Sequence, residues 1–353
     1  MAITGARPDR ATHYLVRAAV TAPSAFNTQP WRFAYCKGEL HLCADTTRRL
    51  RVADPEGREL LISCGAALFN VRLAMLHLGF RARVRLLPVA ADPWLLATVS
   101  WGPYARASYD DDRMFRAMEL RHTHRGPFQP DPLPAVLIDE LREQARREGA
   151  DLYAVAGAHE LRRLAELIGA AEDVHRRHPG LTAERANWAP GQGSGRLDGV
   201  PGQTYPRDPD TVAFAGRDYA GRARLGYLTR PAASCRGVLG LPAVVHTRRD
   251  GPHDWLRAGQ ALQRVLLHAA AQRVAAAFHT QPLELPELRA QVERHVPGGG
   301  HPQLILRFGY VDEVRPSPRR PVGDVLAGTS RASATRSASP LKSGALVRFA
   351  PPC

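Results

Sequence analysis

The chain has 353 residues, of which 44% are hydrophobic and 23% are charged, and its formal net charge is +14. This composition is typical of a globular protein with a sizeable core, and it excludes a chain too polar to fold. The sequence contains no run of eighteen apolar residues and no His/Cys spacing typical of a metal site. We therefore expect neither a membrane span nor a bound metal.

The excess of positive charge indicates a nucleic-acid partner or an anionic ligand, unless it reflects a general preference for arginine. The arginines follow no single helical stripe, which favours the general preference. Four of the positive charges lie after Gly328 in a segment without acidic residues: Arg331, Arg336, Lys342 and Arg348. We therefore expect no nucleic-acid partner, and keep one as a less favoured alternative.

The cysteines and the first residues indicate the cellular compartment. Cys36, Cys43, Cys64, Cys235 and Cys353 are dispersed and form no C-x-x-C pair, which is typical of reduced thiols. The opening MAITGARPDR lacks the apolar stretch of a secretory signal. We therefore expect a cytoplasmic protein with reduced cysteines.

The first third of the chain shows two helical and four strand-like patterns. The first helix ends before Pro23, because the residue before a proline disfavours the α conformation. The second has apolar residues three and four apart from Cys64 to Leu78, which predicts one apolar stripe. The predicted elements are helices over Ala11–Ala22 and Leu61–Leu78 and strands over Trp31–Tyr35, Glu39–Ala44, Arg83–Leu87 and Leu96–Trp101.

The remainder shows four helical and three strand-like patterns. Asp254 is expected to cap the longest helix. Residues 187–233 lack periodicity and are predicted to be an unordered loop or a functional lid. The predicted helices are Pro134–Glu148, His159–Val174, Trp255–Phe278 and Pro286–Val296, and the predicted strands are Leu152–Ala156, Val238–Thr247 and Leu304–Phe308.

These elements repeat a coarse pattern, since each half contains one long apolar helix and a few strands. We therefore predict an α+β protein with a first unit over residues 1–113 and a second over residues 114–327. The terminal segment, residues 328–353, is rich in Ser and Arg and cannot bury enough apolar surface to order itself.

The segment RHTHR, Arg121 to Arg125, contains two guanidinium groups and a hydroxyl. In an extended conformation, residues 121, 123 and 125 point to one face and could meet one phosphate through charge-assisted hydrogen bonds. A solvated basic loop is the alternative for this segment, and also for the compact pair Arg319 and Arg320. Neither basic segment alone decides between these interpretations.

The segment PSAFNTQPW, Pro23 to Trp31, places Ser24, Asn27 and Gln29 on a turn after the first helix. Their side chains can donate and accept hydrogen bonds to a flat heterocycle with imide N–H and carbonyl groups. A plain helix-to-strand connection is an equally good interpretation, since Asn and Pro are common in turns.

Taken together, four segments resemble the nitroreductase family of flavin enzymes. APSAFNTQPWRF resembles the family's A-P-S-x-x-N-x-Q-P-W segment, and RHTHR resembles its R-x-S-x-R phosphate box, with Thr123 in place of serine. DWLRAGQALQRVLLHAA resembles the helix before the C-terminal third. PQLILRFGY and PSPRRPVGDVL resemble the closing strand and basic segment, so the resemblance covers about residues 11–327.

The resemblance implies an α+β homodimer with FMN at the subunit interface. One subunit supplies the phosphate box and the C-terminal arginines, and the other supplies the Pro-Ser-x-x-Asn segment. In an ordinary subunit the box comes first, whereas here it comes second and each motif occurs once. We therefore predict two degenerate nitroreductase-like halves fused as an intramolecular pseudo-dimer, with mainly antiparallel sheets and long central helices. This arrangement resembles the Acg-like branch, and we expect a monomer.

The resemblance also implies a function and a set of binding residues. We expect an NAD(P)H-dependent FMN oxidoreductase that reduces an electron-poor nitro compound or quinone, with no catalytic side chain because the flavin carries the chemistry. The alternative is a flavin-storage protein without efficient turnover, in which residues 187–233 cover the flavin. The residues expected to bind FMN are Arg121, Thr123, Arg125, Arg319 and Arg320 at the phosphate, and Ser24, Asn27 and Gln29 at the isoalloxazine edge.

Overall fold

The computed structural model describes residues 9–191, 193–205, 214, 216–219 and 240–327. Within these ranges the helices are α1 (Arg10–Ala19), α2 (Arg58–His77), α3 (Tyr109–Ala117), α4 (Ala135–Arg146), α5 (Ala158–Arg177), α6 (Pro179–Asn187), α7 (Pro252–Ala271), α8 (Pro286–Glu293) and α9 (Val322–Val325). The strands are β1 (Trp31–Cys36), β2 (Glu39–Ala44), β3 (Phe80–Leu86), β4 (Leu95–Tyr104), β5 (Asp151–Ala154), β6 (Leu241–Thr247), β7 (Ala275–Phe278) and β8 (His301–Gly309).

Two four-stranded sheets organise these elements, and both have the same strand order. The first runs β1-β2-β4-β3 and the second β5-β6-β8-β7, with every neighbouring pair antiparallel. The first sheet takes its strands from residues 31–104 and the second from residues 151–309. Two copies of one topology confirm the predicted α+β fold of two degenerate halves.

The long helices α2 and α7 pack against each other in the main hydrophobic core, which also contains residues of both sheets. Both helices have a glycine seven residues after their first residue, Gly65 in α2 and Gly259 in α7. A Cβ on Gly259 would lie 2.0 Å from the carbonyl oxygen of Ile62, and one on Gly65 would lie 2.3 Å from that of Leu256. The helices therefore cross so closely that neither position has room for a side chain.

Helix α2 is buried on nearly all sides, so the prediction of a single apolar stripe is wrong. Its surface packs against α1, α7 and strands of its own sheet, which leaves few positions that require polar residues. Among the described helices, α2 alone has the length and composition of a membrane span, but 83% of its apolar window is buried inside the protein. This burial is typical of a central core helix.

The predicted helix over Trp255–Phe278 is wrong at both ends. Its N-cap is Gly251 rather than Asp254, which lies in the first turn, where its charge complements the helix dipole. Arg273 then takes a left-handed conformation with φ 61°, so the chain leaves the helix and forms β7. Pairing of β7 with β8 decides the structure of this alanine-rich stretch, which local periodicity does not distinguish from helix.

Helices α3 and α6 have no counterpart among the predicted elements. In α3 only Met114 and Ala117 are buried, so its hydrophobic pattern is too short to stand out. The signal that identifies this helix is the capping box formed by Ser108 and Asp111. The predicted unit boundary between residues 113 and 114 falls inside α3, and the division into two domains stays a prediction.

Other predictions reach residues outside the described ranges. The loop over 187–233 is described only at 187–191, 193–205, 214 and 216–219, and residues 328–353 lie wholly outside. Cys235 and Cys353 also lie outside. Cys43 and Cys64 are free thiols, as expected, whereas Cys36 is disulfide-bonded, so the prediction that all cysteines are reduced is wrong for Cys36.

Candidate functional site

Three distant segments of the chain meet at one place: residues 21–29 after α1, residues 121–125 after α3, and residues 317–320 before α9. The basic box lies beside the second sheet, because Thr123 forms a parallel bridge with Ala276 of β7. The C-terminal segment returns to the first sheet, where Leu326 forms a parallel bridge with Phe33 of β1. The edges of the two sheets thus bring the two motifs together.

Asn27 joins the first segment to the third. Its Oδ1 accepts a hydrogen bond from Arg319 at 3.2 Å, and its Nδ2 donates to the carbonyl oxygens of Pro318 at 3.1 Å and Gly199 at 2.9 Å. The backbone here is left-handed, with φ 48° at Phe26 and 53° at Asn27. Asparagine tolerates this conformation better than most residues, which explains its place at the turn.

Gln29 forms a second connection beside Asn27. Its Oε1 accepts from the backbone N–H of Arg320 at 2.8 Å, and its Nε2 donates to the carbonyl oxygen of Leu197 at 2.8 Å. Gln29 is fully buried and Asn27 nearly so. Both amides are therefore already paired within the protein, and their predicted contact with an isoalloxazine edge stays a prediction.

Arginines 121, 125 and 319 form the most unusual electrostatic feature of the junction. Arg121 and Arg319 both donate to the carbonyl oxygen of Thr21, at 2.8 and 3.4 Å. Arg125 donates to the hydroxyl of Ser317 at 3.3 Å, and Arg319 donates to the carbonyl oxygen of the same serine at 3.1 Å. These shared acceptors hold three positive charges close together.

The three arginines lack compensating negative charge. In each of them the Nε atom is buried without a hydrogen-bond partner, and no acidic partner occurs within the described ranges. Burial, together with the charges of Arg319 and Arg125, lowers the pKa of Arg121 well below its usual value. Burial and the charge of Arg125 lower the pKa of Arg319 to about 10. Because arginine stays protonated in proteins, this arrangement favours an anion between the guanidinium groups.

A pocket opens beside the arginines. Three of the predicted site residues line it, namely Ser24, Thr123 and Arg125. The first half contributes Ile62 and the second Leu262, so both halves form its walls. The other five predicted residues do not line the pocket: Asn27, Gln29, Arg121, Arg319 and Arg320.

Short hydrogen bonds shape the wall around Ser24. Its hydroxyl accepts from the backbone N–H of Gln29 at 2.9 Å, which closes the turn. The next residue, Ala25, donates its N–H to the hydroxyl of Ser63 at 3.2 Å, and Ser63 donates to the carbonyl oxygen of Glu59 at 2.7 Å. The first motif is therefore fastened to the N-terminal part of α2.

Four further polar residues line the pocket and belong to none of the motifs found in the sequence: Glu59, Arg217, Tyr219 and Glu284. Glu59 lies on the first turn of α2, and Glu284 follows β7 in a 3₁₀ turn over Gln281–Glu284. Arg217 lies over the ring of Phe26, 4.6 Å from its centroid, and Tyr219 contacts the same ring edge-on at 6.0 Å. The sequence gives no special signal for Glu59, because an acidic residue is common in the first turn of a helix.

No cluster of three or more His, Cys, Asp or Glu residues that could hold a metal occurs in the part of the chain that the structure describes. The polar groups of the junction are instead guanidinium, hydroxyl and carboxyl groups. The guanidinium groups suit an anionic group, and the pocket beside them also has apolar walls.

Comparisons with known proteins identify relatives. No protein-family model matches the chain. "Putative NAD(P)H nitroreductase Rv3131" of Mycobacterium tuberculosis is 33% identical over 314 residues, which cover 87% of this chain and 88% of the relative. "Putative NAD(P)H nitroreductase acg" of the same organism is 28% identical over 317 residues, covering 88% and 93%.

Solved structures were compared as well. The FMN-dependent nitroreductase NfnB from Mycobacterium smegmatis, in complex with NADPH, matches with a TM-score of 0.37 and 16% identity over 65% of this chain and 99% of that chain. A nitroreductase with bound FMN from Desulfitobacterium hafniense matches with a TM-score of 0.37 and 14% identity over 60% and 95%. From its 33% identity to Rv3131 across most of both sequences, the chain belongs to the nitroreductase family.

Proposed function

We propose that the chain binds one FMN at the junction of its two halves and uses NAD(P)H to reduce an electron-poor acceptor, such as a nitro compound or a quinone. The observation that carries this proposal is the cluster of Arg121, Arg125 and Arg319, whose unpaired Nε atoms and mutual repulsion call for an anion. The names of the M. tuberculosis relatives support the choice of NAD(P)H as electron donor.

The junction fits FMN at both of its ends. The phosphate would be held by the three arginines, since guanidinium groups bind phosphate through charge-assisted hydrogen bonds. Arg125 also lines the pocket, so it connects the phosphate end to the space for the ring. Apolar lining from Ile62, Leu262 and Leu304 suits a flat aromatic body, and Ser24 and Thr123 also line the pocket.

When bound, FMN supplies the two-electron redox chemistry, while the protein binds and orients it. Asn27 and Gln29 act as positioning residues, because they hold Arg319 and Arg320 against the first half through hydrogen bonds. Phe26 and Tyr219 pack against each other in the lining of the pocket. Arg320 is engaged with Gln29 and with the carbonyl oxygen of Asp324 at 2.9 Å, so its contribution to phosphate binding is indirect.

Flavin storage is the second candidate, and one observation favours it. Arg217 and Tyr219 belong to the segment over residues 187–233, and both pack on Phe26 and line the pocket, so part of this segment lies against the proposed flavin site. Anaerobic addition of NADPH to the yellow protein separates the two functions. Bleaching of the flavin supports the oxidoreductase, and lasting colour supports storage.

The phosphate assignment is tested with Arg125→Ala, using FMN and riboflavin as ligands. A hydrogen bond to a charged group contributes about 1.5–3 kcal/mol, so FMN should bind roughly ten- to a hundredfold more weakly. Riboflavin has no phosphate, so its affinity should barely change. Arg116→Ala, which removes an exposed arginine at the end of α3, is the matched control. Equal losses for FMN and riboflavin would contradict the assignment.

The cellular setting follows from the same proposal. We expect a monomeric cytoplasmic protein that acts on small molecules. Nucleic-acid binding stays the less favoured alternative, and it would weaken steeply as the salt concentration rises.

A further inference from the structure

Two carboxyl residues lie on the pocket wall together, and the binding of FMN does not explain them. Glu59 comes from α2 of the first half and Glu284 from the turn after β7 of the second, and both line the pocket that contains Thr123 and Arg125. Glu59 is 7% exposed, and the side chain of Glu284 is completely buried. Two buried acids are costly to keep unless each is paired or protonated.

Glu284 is paired. Both of its carboxyl oxygens accept hydrogen bonds from Arg217. Oε2 accepts from Nη1 at 3.2 Å, and Oε1 accepts from Nη2. His175 also lies near, with its Nε2 at 3.3 Å from Oε2. Burial, and then the charge of Arg217, lower the pKa of His175 to about 3, so this histidine is neutral. Arg217 therefore holds Glu284 in a two-point ion pair.

Glu59 is poorly paired by comparison. Its nearest cation is Arg58, with 3.4 Å between Oε1 and Nη2. The Nη1 of Arg58 is engaged elsewhere, since it donates to the carbonyl oxygen of Gln303 in β8 at 2.6 Å. The charged groups that face Glu59 are the negative Glu284 and Asp54 and the positive Arg58 and Arg217. Burial, and then the charge of Glu284, raise the pKa of Glu59 to about 8.

We propose that Glu59 is a catalytic acid that delivers a proton to the acceptor reduced in this pocket. Glu284 is a positioning residue whose negative charge keeps Glu59 protonated, and Arg217 holds Glu284 in place through two contacts. This role rests on the proposed function. A quinone takes up hydride from reduced FMN, which NAD(P)H regenerates, and a proton from Glu59. The O–H bond of the Glu59 carboxyl breaks, an O–H bond of the hydroquinone forms, and water then reprotonates the carboxylate.

The other charged groups of the lining are poorer proton donors for this step. Arginine does not release a proton in proteins, which excludes Arg125 and Arg217. Both oxygens of Glu284 accept hydrogen bonds from Arg217, so neither is placed to donate a proton. Glu59 therefore combines a transferable proton with a place on the pocket wall.

The first experiment compares a quinone with ferricyanide, which takes electrons without a proton, in the FMN-loaded protein. A general acid contributes about 100-fold or more, so Glu59→Gln should lower the ratio of quinone to ferricyanide turnover by about 100-fold. In the wild-type protein this ratio should fall as the pH rises through about 8, and in the variant it should be flat. Glu56→Gln, an exposed acid three residues earlier, should keep the wild-type ratio. A ratio unaltered by Glu59→Gln would overturn the role.

The second experiment needs no turnover and uses the infrared carbonyl band of a protonated carboxylic acid in the FMN-free chain. The infrared difference spectrum between wild type and Glu59→Gln should contain this band near neutral pH. The band should disappear as the pH rises through about 8. Glu284→Gln removes the negative neighbour and should move this titration to lower pH.

The two experiments separate this role from the proposed function. A protein that binds no FMN would overturn the proposed function and this role with it. A protein that binds FMN but lacks the infrared band would overturn the role of Glu59 alone.

Discussion

Asn27 shows how much of a binding site can depend on a residue that does not line its pocket. Its amide connects the turn after α1 to Arg319 and to the loop at Gly199, while its backbone takes a left-handed conformation. Leaving such buried partners unpaired costs about 1–3 kcal/mol for each group. The identity of Asn27 therefore follows from the junction between the two halves, a role that its position in the sequence does not reveal.

The pH dependence of stability provides a prediction for Glu59. Its pKa is about 8 in the folded protein, against an ordinary value of 4.5, because burial and Glu284 disfavour the carboxylate. Between these pH values the unfolded chain releases this proton while the folded protein keeps it. The protonated Glu59 carboxyl therefore makes its full contribution to the free energy of unfolding below about pH 4.5. This contribution is lost as the pH rises to about 8.

Urea unfolding of wild type and Glu59→Gln across this window measures the effect. The wild type should lose stability relative to the variant as the pH rises, and the difference should level off above about 8. Glu56→Gln controls for the general loss of a carboxyl group. A constant difference between wild type and Glu59→Gln at all pH values would show that Glu59 ionises normally.

The pairing of α2 and α7 is the feature that matters most among the elements. These helices cross at Gly65 and Gly259, and both contribute to the pocket, through Ser63 of α2 and Leu262 of α7. The distance between the two helices thus also determines the width of the pocket. A substitution at the crossing should therefore alter ligand binding, although the substituted residue does not contact the ligand.

Gly259→Ala tests this connection. Its Cβ would lie 2.0 Å from the carbonyl oxygen of Ile62, so the helices must separate, and overpacking of this kind costs about 1–3 kcal/mol. We expect lower thermal stability together with weaker binding of both FMN and riboflavin. The control is Gly169→Ala in α5, where a Cβ meets nothing within 4 Å and the change should stabilise the helix by about 0.5–1 kcal/mol. Similar stability for the two variants would contradict the close crossing.

Helices and strands could be predicted where neighbouring residues in the sequence determine them, and could not where contacts with distant strands decide. The strands around Gly38 and the helix before Pro23 could be predicted, because turn residues and alternation mark them. The end of α7 could not, because only pairing with β8 decides that Ala275–Phe278 is a strand. The motifs pointed to Arg121 and Arg125, whose role in binding stays a prediction, whereas the positions of Glu59 and Arg217 beside the pocket depend on distant parts of the chain.

At the scale of the whole molecule, the two halves share a topology but differ in their connections. Residues 20–30 connect α1 to β1 and provide the turn with Ser24 and Asn27, whereas only residues 147–150 connect α4 to β5. The shorter connection has no room for an equivalent turn. The order of the motifs predicted this asymmetry, since each motif occurs once and the two meet across the junction.

Flavin titration tests the asymmetry directly. Because the equivalent turn is absent between α4 and β5, the protein should saturate at about one FMN per chain. Absorbance of the bound flavin against protein concentration measures this ratio, and sedimentation should give the mass of a monomer. Saturation at two FMN per chain would remove the argument for a single junction site.

The short connection at residues 147–150 affects which substitutions this chain can accept during evolution. In a symmetric dimer every substitution appears twice and must suit both sides of each interface. Here the turn after α1 and the basic box before α4 lie on different halves of one polypeptide. The first half can therefore lose the box, and the second half can lose the turn. The affinity of the site for its ligand is also independent of protein concentration, because its two walls cannot dissociate on dilution.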